Sequence, residues 1–183
     1  MGEQNKYRNL IPEIPSTAVD VYRMLPEGTR CEVIFNELIM SPSPTPLHQL
    51  LLSDLHALIY AFLKENKSGK VVPSPIDVYL EGYDSAIQPD LLVILTENLQ
   101  LIGDDGIYGA PDVIIEILSR NKAYDTQRKR TLYEKAGVKE YFMIDPKNKK
   151  TTLLTLNGSG IYEQTYEAIG VINSTVLSCS LAF

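Results

Sequence analysis

The sequence predicts a mixed α/β fold with a central β-sheet. Two apolar runs, at 88–95 and 111–118, are bounded by Pro and Gly and read as buried strands. Between Thr45-Pro46 and Gly69, Leu47, Leu51, Leu55, Leu58 and Phe62 share one helical face. Along the chain the elements run helix, hairpin, helix, three strands, helix, strand and a terminal β extension. That order places helices on a sheet.

Residues 1–16 are polar and contain Pro, and read as an arm ahead of one domain over 17–183. Thr17 is the cap of a short helix through about Leu25, which Pro26-Glu27-Gly28 ends. Residues 30–40 alternate as a hairpin with Asn36 at its turn, since Asn tolerates positive φ. Ser41 to Pro46 is a stiff connector, and Thr45-Pro46 is a helix start for 46–65. Gly69 closes that helix. A strand over 70–81 and its hairpin partner over 88–95 follow, joined by the turn Glu81-Gly82-Tyr83-Asp84. Residues 96–110 read as loop, and 111–118 as the next strand. A helix over 125–136 has Asp125 as cap and Gly137 as terminator. Residues 139–145 form a strand stopped by Pro146. The rest is β: 151–156, a turn at Asn157-Gly158-Ser159-Gly160, 161–166, and a last strand at 172–181.

At 183 residues the chain is long enough to bury a sizeable core. No stretch approaches a membrane span, and the N-terminus lacks the pattern of a secretory signal. Two cysteines, Cys31 and Cys179, are too few for a disulfide framework, so a cytoplasmic setting is expected. The net charge of −6 argues against a general nucleic-acid binder, but its distribution is uneven. Residues 71–119 hold nine Asp or Glu and no Lys or Arg, whereas 120–150 hold ten Lys or Arg against four Asp or Glu. A carboxylate centre beside a basic segment suits a metal with a phosphodiester. A solvated basic helix accounts for the charge equally well.

The chemistry concentrates where buried strands carry acids. Glu116 lies inside an aliphatic run, where an ionised carboxylate is costly unless cations or hydrogen bonds compensate it. Asp90 heads the neighbouring strand and is its natural partner in a metal site; Asp77 is a third candidate. Asp112 shares the strand face of Glu116 but lies about 13 Å away at ordinary strand rise, so it reads as an edge or turn residue. On the following helix Asp125, Lys129 and Tyr133 share a face, and Lys129 is the cation turned toward the sheet. Arg128 and Arg130 point elsewhere, to solvent or to a DNA backbone. With Arg120 and Lys122 they make up the basic candidates for nucleic-acid contact. His48 and His56 have no nearby Cys or carboxylate cluster, which disfavours zinc. His48 reads as a hydrogen-bonding residue near the site or as a capping group.

These residues carry a resemblance. Gln88-Pro89-Asp90, then Gly109-Ala-Pro-Asp-Val-Ile-Ile-Glu116-Ile-Leu-Ser119, then Tyr124-Asp125 with Lys129 and Tyr133, then Ala136-Gly137-Val138-Lys-Glu-Tyr141-Phe-Met-Ile-Asp145-Pro146 resemble the Uma-type family. That family is a domain of unknown function described as "putative restriction endonucleases" of the PD-(D/E)xK superfamily. The resemblance covers roughly 17–150 and implies the restriction-endonuclease-like fold, a central mixed β-sheet flanked by helices with the acidic residues on adjacent strands. It implies that Asp90 is the first metal carboxylate and that Glu116 is the acid of the E-x-K tripeptide. Leu118 stands where that tripeptide has its lysine, and the family's lysine corresponds to Lys129 on the next helix. Glu32 matches the glutamate of a family hairpin motif. Phe35-Asn36 replaces its usual Asp-Gly turn, and Ser119-Arg120 replaces a Ser-Pro pair.

The expected function is a Mg²⁺- or Mn²⁺-dependent endonuclease acting on DNA, with Asp90, Glu116 and Lys129 catalytic and Glu32 and Asp77 as further candidates. A metal on two carboxylates neutralises the phosphate and acidifies a bound water, and a lysine steadies the nucleophile or the developing charge. A homodimer is expected, because cutting a duplex needs two sites and 151–183 offers strand edges. The competing reading is a degenerate nuclease-fold module that binds nucleic acid or protein; hydrolysis of another phosphate ester is a third.

Overall fold

The computed structural model describes residues 15–26, 28–119 and 122–183, with side chains in the last segment from residue 127 onward. The expected arm falls almost entirely outside them. Helix α1 (Ala18–Met24) starts at Thr17, whose hydroxyl accepts from the Asp20 N–H while the Asp20 carboxylate accepts from the Thr17 N–H. This reciprocal pair satisfies two donors that the helix end leaves open.

Strands β1 (Cys31–Ile34) and β2 (Glu37–Met40) form the expected hairpin. Phe35 and Asn36 both take positive φ, at 51° and 61°, as a two-residue hairpin loop of this hand requires. Positive φ is unfavourable for a bulky residue such as Phe35. Neighbours hold the turn: Phe35 N–H donates to Ser85 Oγ and Asn36 Oδ1 accepts from Ala18 N–H.

Helix α2 (Pro46–Asn66) has Thr45 as its cap and Pro46 in its first turn. Its buried stripe is His48, Leu51, Leu52, Leu55, Ile59 and Leu63, so Leu51 and Leu55 are buried as predicted while Leu58 and Phe62 are half-buried beside it. Leu47 is 48% exposed, because His48 takes the inward place at the first turn.

The long hairpin expected over 70–95 divides between two sheets. Strand β3 (Gly69–Pro73) pairs with β6 (Leu91–Leu95), and β4 (Val78–Leu80) pairs with β5 (Ser85–Ile87). Both arms break where Pro interrupts them, at Pro75 and Pro89, since Pro cannot donate to a ladder. The segment expected as loop holds a 3₁₀ helix over Thr96–Leu101 and a short strand, β7 (Ile107–Tyr108), parallel to β4.

Strand β8 (Val113–Ile117) lies inside the larger sheet, antiparallel to β6 and parallel to β9 (Glu140–Ile144). Helix α3 (Lys122–Ala136) begins three residues before the predicted start, so Asp125 lies inside it and is not its cap. Gly137 ends it with φ 88°, where its N–H and that of Val138 both reach Tyr133 O. Strands β10 (Lys150–Leu156) and β11 (Tyr162–Ile169) extend the central sheet. The single last strand expected is instead a hairpin of β12 (Val171–Ser174) and β13 (Cys179–Ala182). The buried Glu140 carboxylate organises its turn: it accepts from Ser174 Oγ at 2.5 Å, Thr175 N at 2.8 Å, Thr175 Oγ1 at 2.7 Å and Val176 N at 3.2 Å.

Among the described residues the sheets run β2-β1-β5-β4-β7 and β11-β10-β9-β8-β6-β3, with β12-β13 apart. The central strands are buried on both faces. Val113, Ile115 and Ile117 pack with Leu51, Leu55 and Ile59 of α2. Ile114 and Leu92 pack with Leu132 and Tyr133 of α3. The alternation of β8 thus turns Glu116 toward α3. No described helix is long and apolar enough to cross a membrane.

Candidate active site

Asp90 lies where the hairpin passes from one sheet to the other, just ahead of β6. Its Oδ2 accepts from the Ile117 N–H at 2.8 Å and lies 3.1 Å from His48 Nε2. That backbone bond ties it to β8 next to Glu116. Glu116 is buried in mid-strand, and its Oε1 accepts from Lys129 Nζ at 2.9 Å and Tyr133 OH at 2.7 Å. Lys129 and Tyr133, one turn apart on α3, approach it together. Glu32 on β1 completes the group: its Oε1 is 3.0 Å from Lys129 Nζ and accepts from the Gln88 N–H at 2.8 Å. The structure therefore gathers Asp90, Glu116, Lys129 and Glu32.

Two carboxylates, Glu116 and Glu32, hold one largely buried ammonium here, and the Asp90 charge acts on it from further off. Burial raises the Glu116 pKa most; Lys129 works against that, and the charges of Asp90 and Glu32 add to the rise. Burial alone would lower the Lys129 pKa, yet Glu116, Glu32 and Asp90 outweigh it and hold the pKa well above the usual lysine value. Tyr133 is pushed well up by burial and then by the Glu116 and Glu32 charges, so its hydroxyl stays a donor. For His48, burial works downward and the hydrogen bond and charge of Asp90 prevail, leaving its pKa raised.

The other candidates lie apart from this group. Asp77 accepts from Tyr22 OH at 2.6 Å, Gln88 Nε2 at 2.8 Å and Tyr79 OH at 3.1 Å. It sits in a neighbouring network that Gln88 joins to Glu32, and no described contact links it to Glu116 or Lys129. Arg128 does not face solvent as expected: it pairs with Glu37 at 2.7 Å and reaches Ile34 O, bracing the β1–β2 hairpin against α3. Arg130 is half-buried on α3. Arg120 and the Lys122 side chain lie outside the described residues. Asp112 accepts from Leu95 N–H at 2.8 Å, Asn98 Nδ2 at 2.8 Å and Lys139 Nζ at 2.6 Å, away from the acidic group. Sequence reasoning left Gln88 out of the site, although it belongs to the Gln-Pro-Asp motif. The sequence places Tyr133 on the face of Lys129 without a role, and His48, read as a hydrogen-bonding residue near the site or a capping group, meets Asp90 with its ring.

The donor set fits a hard divalent cation. Among the described residues, Asp90 Oδ1 and Glu116 Oε2 have no hydrogen-bond partner, one oxygen from each carboxylate. No group of three or more His, Cys, Asp or Glu is arranged to hold an ion among those residues. Mg²⁺ commonly takes one or two carboxylates and keeps several waters, and these two oxygens are the ones that could meet such an ion.

No curated protein matches the sequence. The fold is similar to the crystal structure of "a putative nuclease belonging to DUF820" from Anabaena variabilis ATCC 29413. The TM-score is 0.71 at 18% identity, covering 90% of this chain and 92% of that one. The architecture is thus restriction-endonuclease-like, as expected. A family model described as "Putative restriction endonuclease" matches residues 18–177, and on that match the chain belongs to the Uma2 family.

Proposed function

We propose that the chain is a metal-dependent nuclease that hydrolyses DNA phosphodiesters, with Asp90 and Glu116 holding Mg²⁺ or Mn²⁺. The observation that carries the reading is Lys129, buried between Glu116 and Glu32 although Leu118 occupies the usual lysine position. When bound, the ion would neutralise phosphate charge and lower the pKa of a coordinated water. Lys129 supplies a fixed positive charge beside the reacting phosphate. Tyr133 and Glu32 hold that ammonium and the Glu116 carboxylate in place. The reading includes a homodimer, because two sites are needed to cut both strands; Ile169 on edge strand β11, 74% exposed, is one apolar contact available for it.

Calorimetry with Mn²⁺ and nicking of supercoiled plasmid in Mg²⁺ test the proposal. Wild type binds and nicks, and the double change Asp90→Ala with Glu116→Ala abolishes both. Equal Mn²⁺ binding by wild type and double variant would sink the site. DNA binding without metal-dependent cleavage would favour the binding-module reading.

A further inference from the structure

His48 reaches the acidic group from the sheet face opposite α3. Thr45 Oγ1 accepts from the His48 N–H, and Pro46 stiffens the same turn, so the residue's place on the helix is set locally. Its side chain is 11% exposed beside Leu51 and Leu52. Nε2 meets Asp90 Oδ2, the oxygen that the Ile117 N–H also meets. Nδ1 is buried with no partner among the described residues. The direct hydrogen bond of the ring is to Asp90, and the Gln49 side chain is a weaker polar neighbour. A single backbone donor would leave the carboxyl free to rock about Cβ–Cγ. Two donors on one oxygen fix its plane and leave Oδ1 open.

We propose that His48 is a positioning residue: its Nε2–H holds Asp90 Oδ2 so that Oδ1 is presented, with Glu116 Oε2, to a hydrated divalent cation. This rests on the metal-dependent reading above. It assigns a proton to Nε2, the nitrogen that faces Asp90. The imidazole orients the carboxylate and is not itself a ligand, as partners behind metal ligands commonly do.

The test is Mn²⁺ calorimetry on wild type, His48→Leu and His48→Gln, with a ¹³C carboxyl spectrum of Asp90 in metal-free protein. Removing such a partner typically weakens metal binding about 10–100-fold, and His48→Leu is expected in that range. Gln carries an N–H donor at similar reach, so His48→Gln should restore most of the affinity and the wild-type Asp90 carboxyl shift. Should His48→Leu not fold, His48→Asn, polar but too short to reach Asp90, replaces it with the same expected loss. Unchanged affinity in His48→Leu or His48→Asn overturns the positioning role and leaves the metal site standing. A Gln variant as weak as the Leu or Asn variant overturns it in favour of the ring itself acting as ligand. A wild type that binds no Mn²⁺ overturns the functional reading, and this inference with it.

Discussion

Lys129→Met would remove the ammonium while keeping most of its buried stem. The side chain is 13% exposed and lies 2.9 Å from Glu116 Oε1 and 3.0 Å from Glu32 Oε1. Breaking a buried pair by removing one partner costs about 3–5 kcal/mol. In this cluster the carboxyls can lessen that cost by taking up a proton. A glutamate of unfolded pKa about 4.3 costs about 5 kcal/mol to neutralise at pH 8 and about 1 kcal/mol at pH 5, at about 1.4 kcal/mol per unit. The sign follows from linkage. Without Lys129 the folded carboxyl pKa rises further, so stability is intact below the unfolded value and is lost as pH climbs through the raised one. The variant should therefore be about 3–5 kcal/mol less stable than wild type at pH 8 and only about 1 kcal/mol less stable at pH 5. Urea unfolding followed by far-ultraviolet circular dichroism measures this, the chain having no Trp. A deficit of the same size at both pH values would refute the charge-cluster argument. Plasmid nicking should be lost in the variant at every pH at which it remains folded.

Two further expectations follow from other parts of the molecule. Burial alone would raise the Asp112 pKa, but Lys139, the Leu95 N–H and Asn98 outweigh it and hold it low. Its contribution is therefore present above an unfolded pKa of about 3.9 and lost as pH falls through the lower folded value. Asp112→Asn should cost about 1.5–3 kcal/mol at pH 6, with the gap to wild type closing toward pH 2. Lys139 is half exposed, so most of that comes from the Leu95 and Asn98 bonds; a gap that stays constant in acid would refute it. Light scattering at micromolar concentration should give twice the chain mass of 20.5 kDa, and a monomer would remove the dimer from the proposed function.

Much of the architecture was legible because local chemistry and burial agree. Thr17, Thr45-Pro46 and Gly137 mark helix ends by hydrogen-bond needs that operate within a few residues. Glu116 was legible as a site residue because nothing local could compensate a carboxylate among aliphatics. The structure supplies that compensation from α3, through Lys129 and Tyr133. What was not legible depends on distant partners. The division of the 70–95 hairpin between two sheets turns on which strands β1 and β8 offer as neighbours. The inward place of His48 depends on Asp90, 42 residues away in sequence. Arg128 looked like a solvent-facing cation because Glu37, its partner, lies on a hairpin read in isolation. The turn between β12 and β13 was read as continuous strand because its organiser, Glu140, belongs to another element.

The Glu140 carboxylate also bears on the order in which the molecule can assemble. Strands β8 and β9 can align early, being joined through one helix, but the second brings a carboxylate whose donors lie 34 to 36 residues further along. Closing a loop of that length carries an entropic cost that short-range pairing does not. Until it closes, the Glu140 carboxylate needs water in place of those donors, and β9 cannot bury that end. Glu116 stands opposite Met143 on the neighbouring strand. Glu140 itself stands opposite Val113, three residues before Glu116, so the clasp anchors the far end of the strand pair that carries the acidic centre.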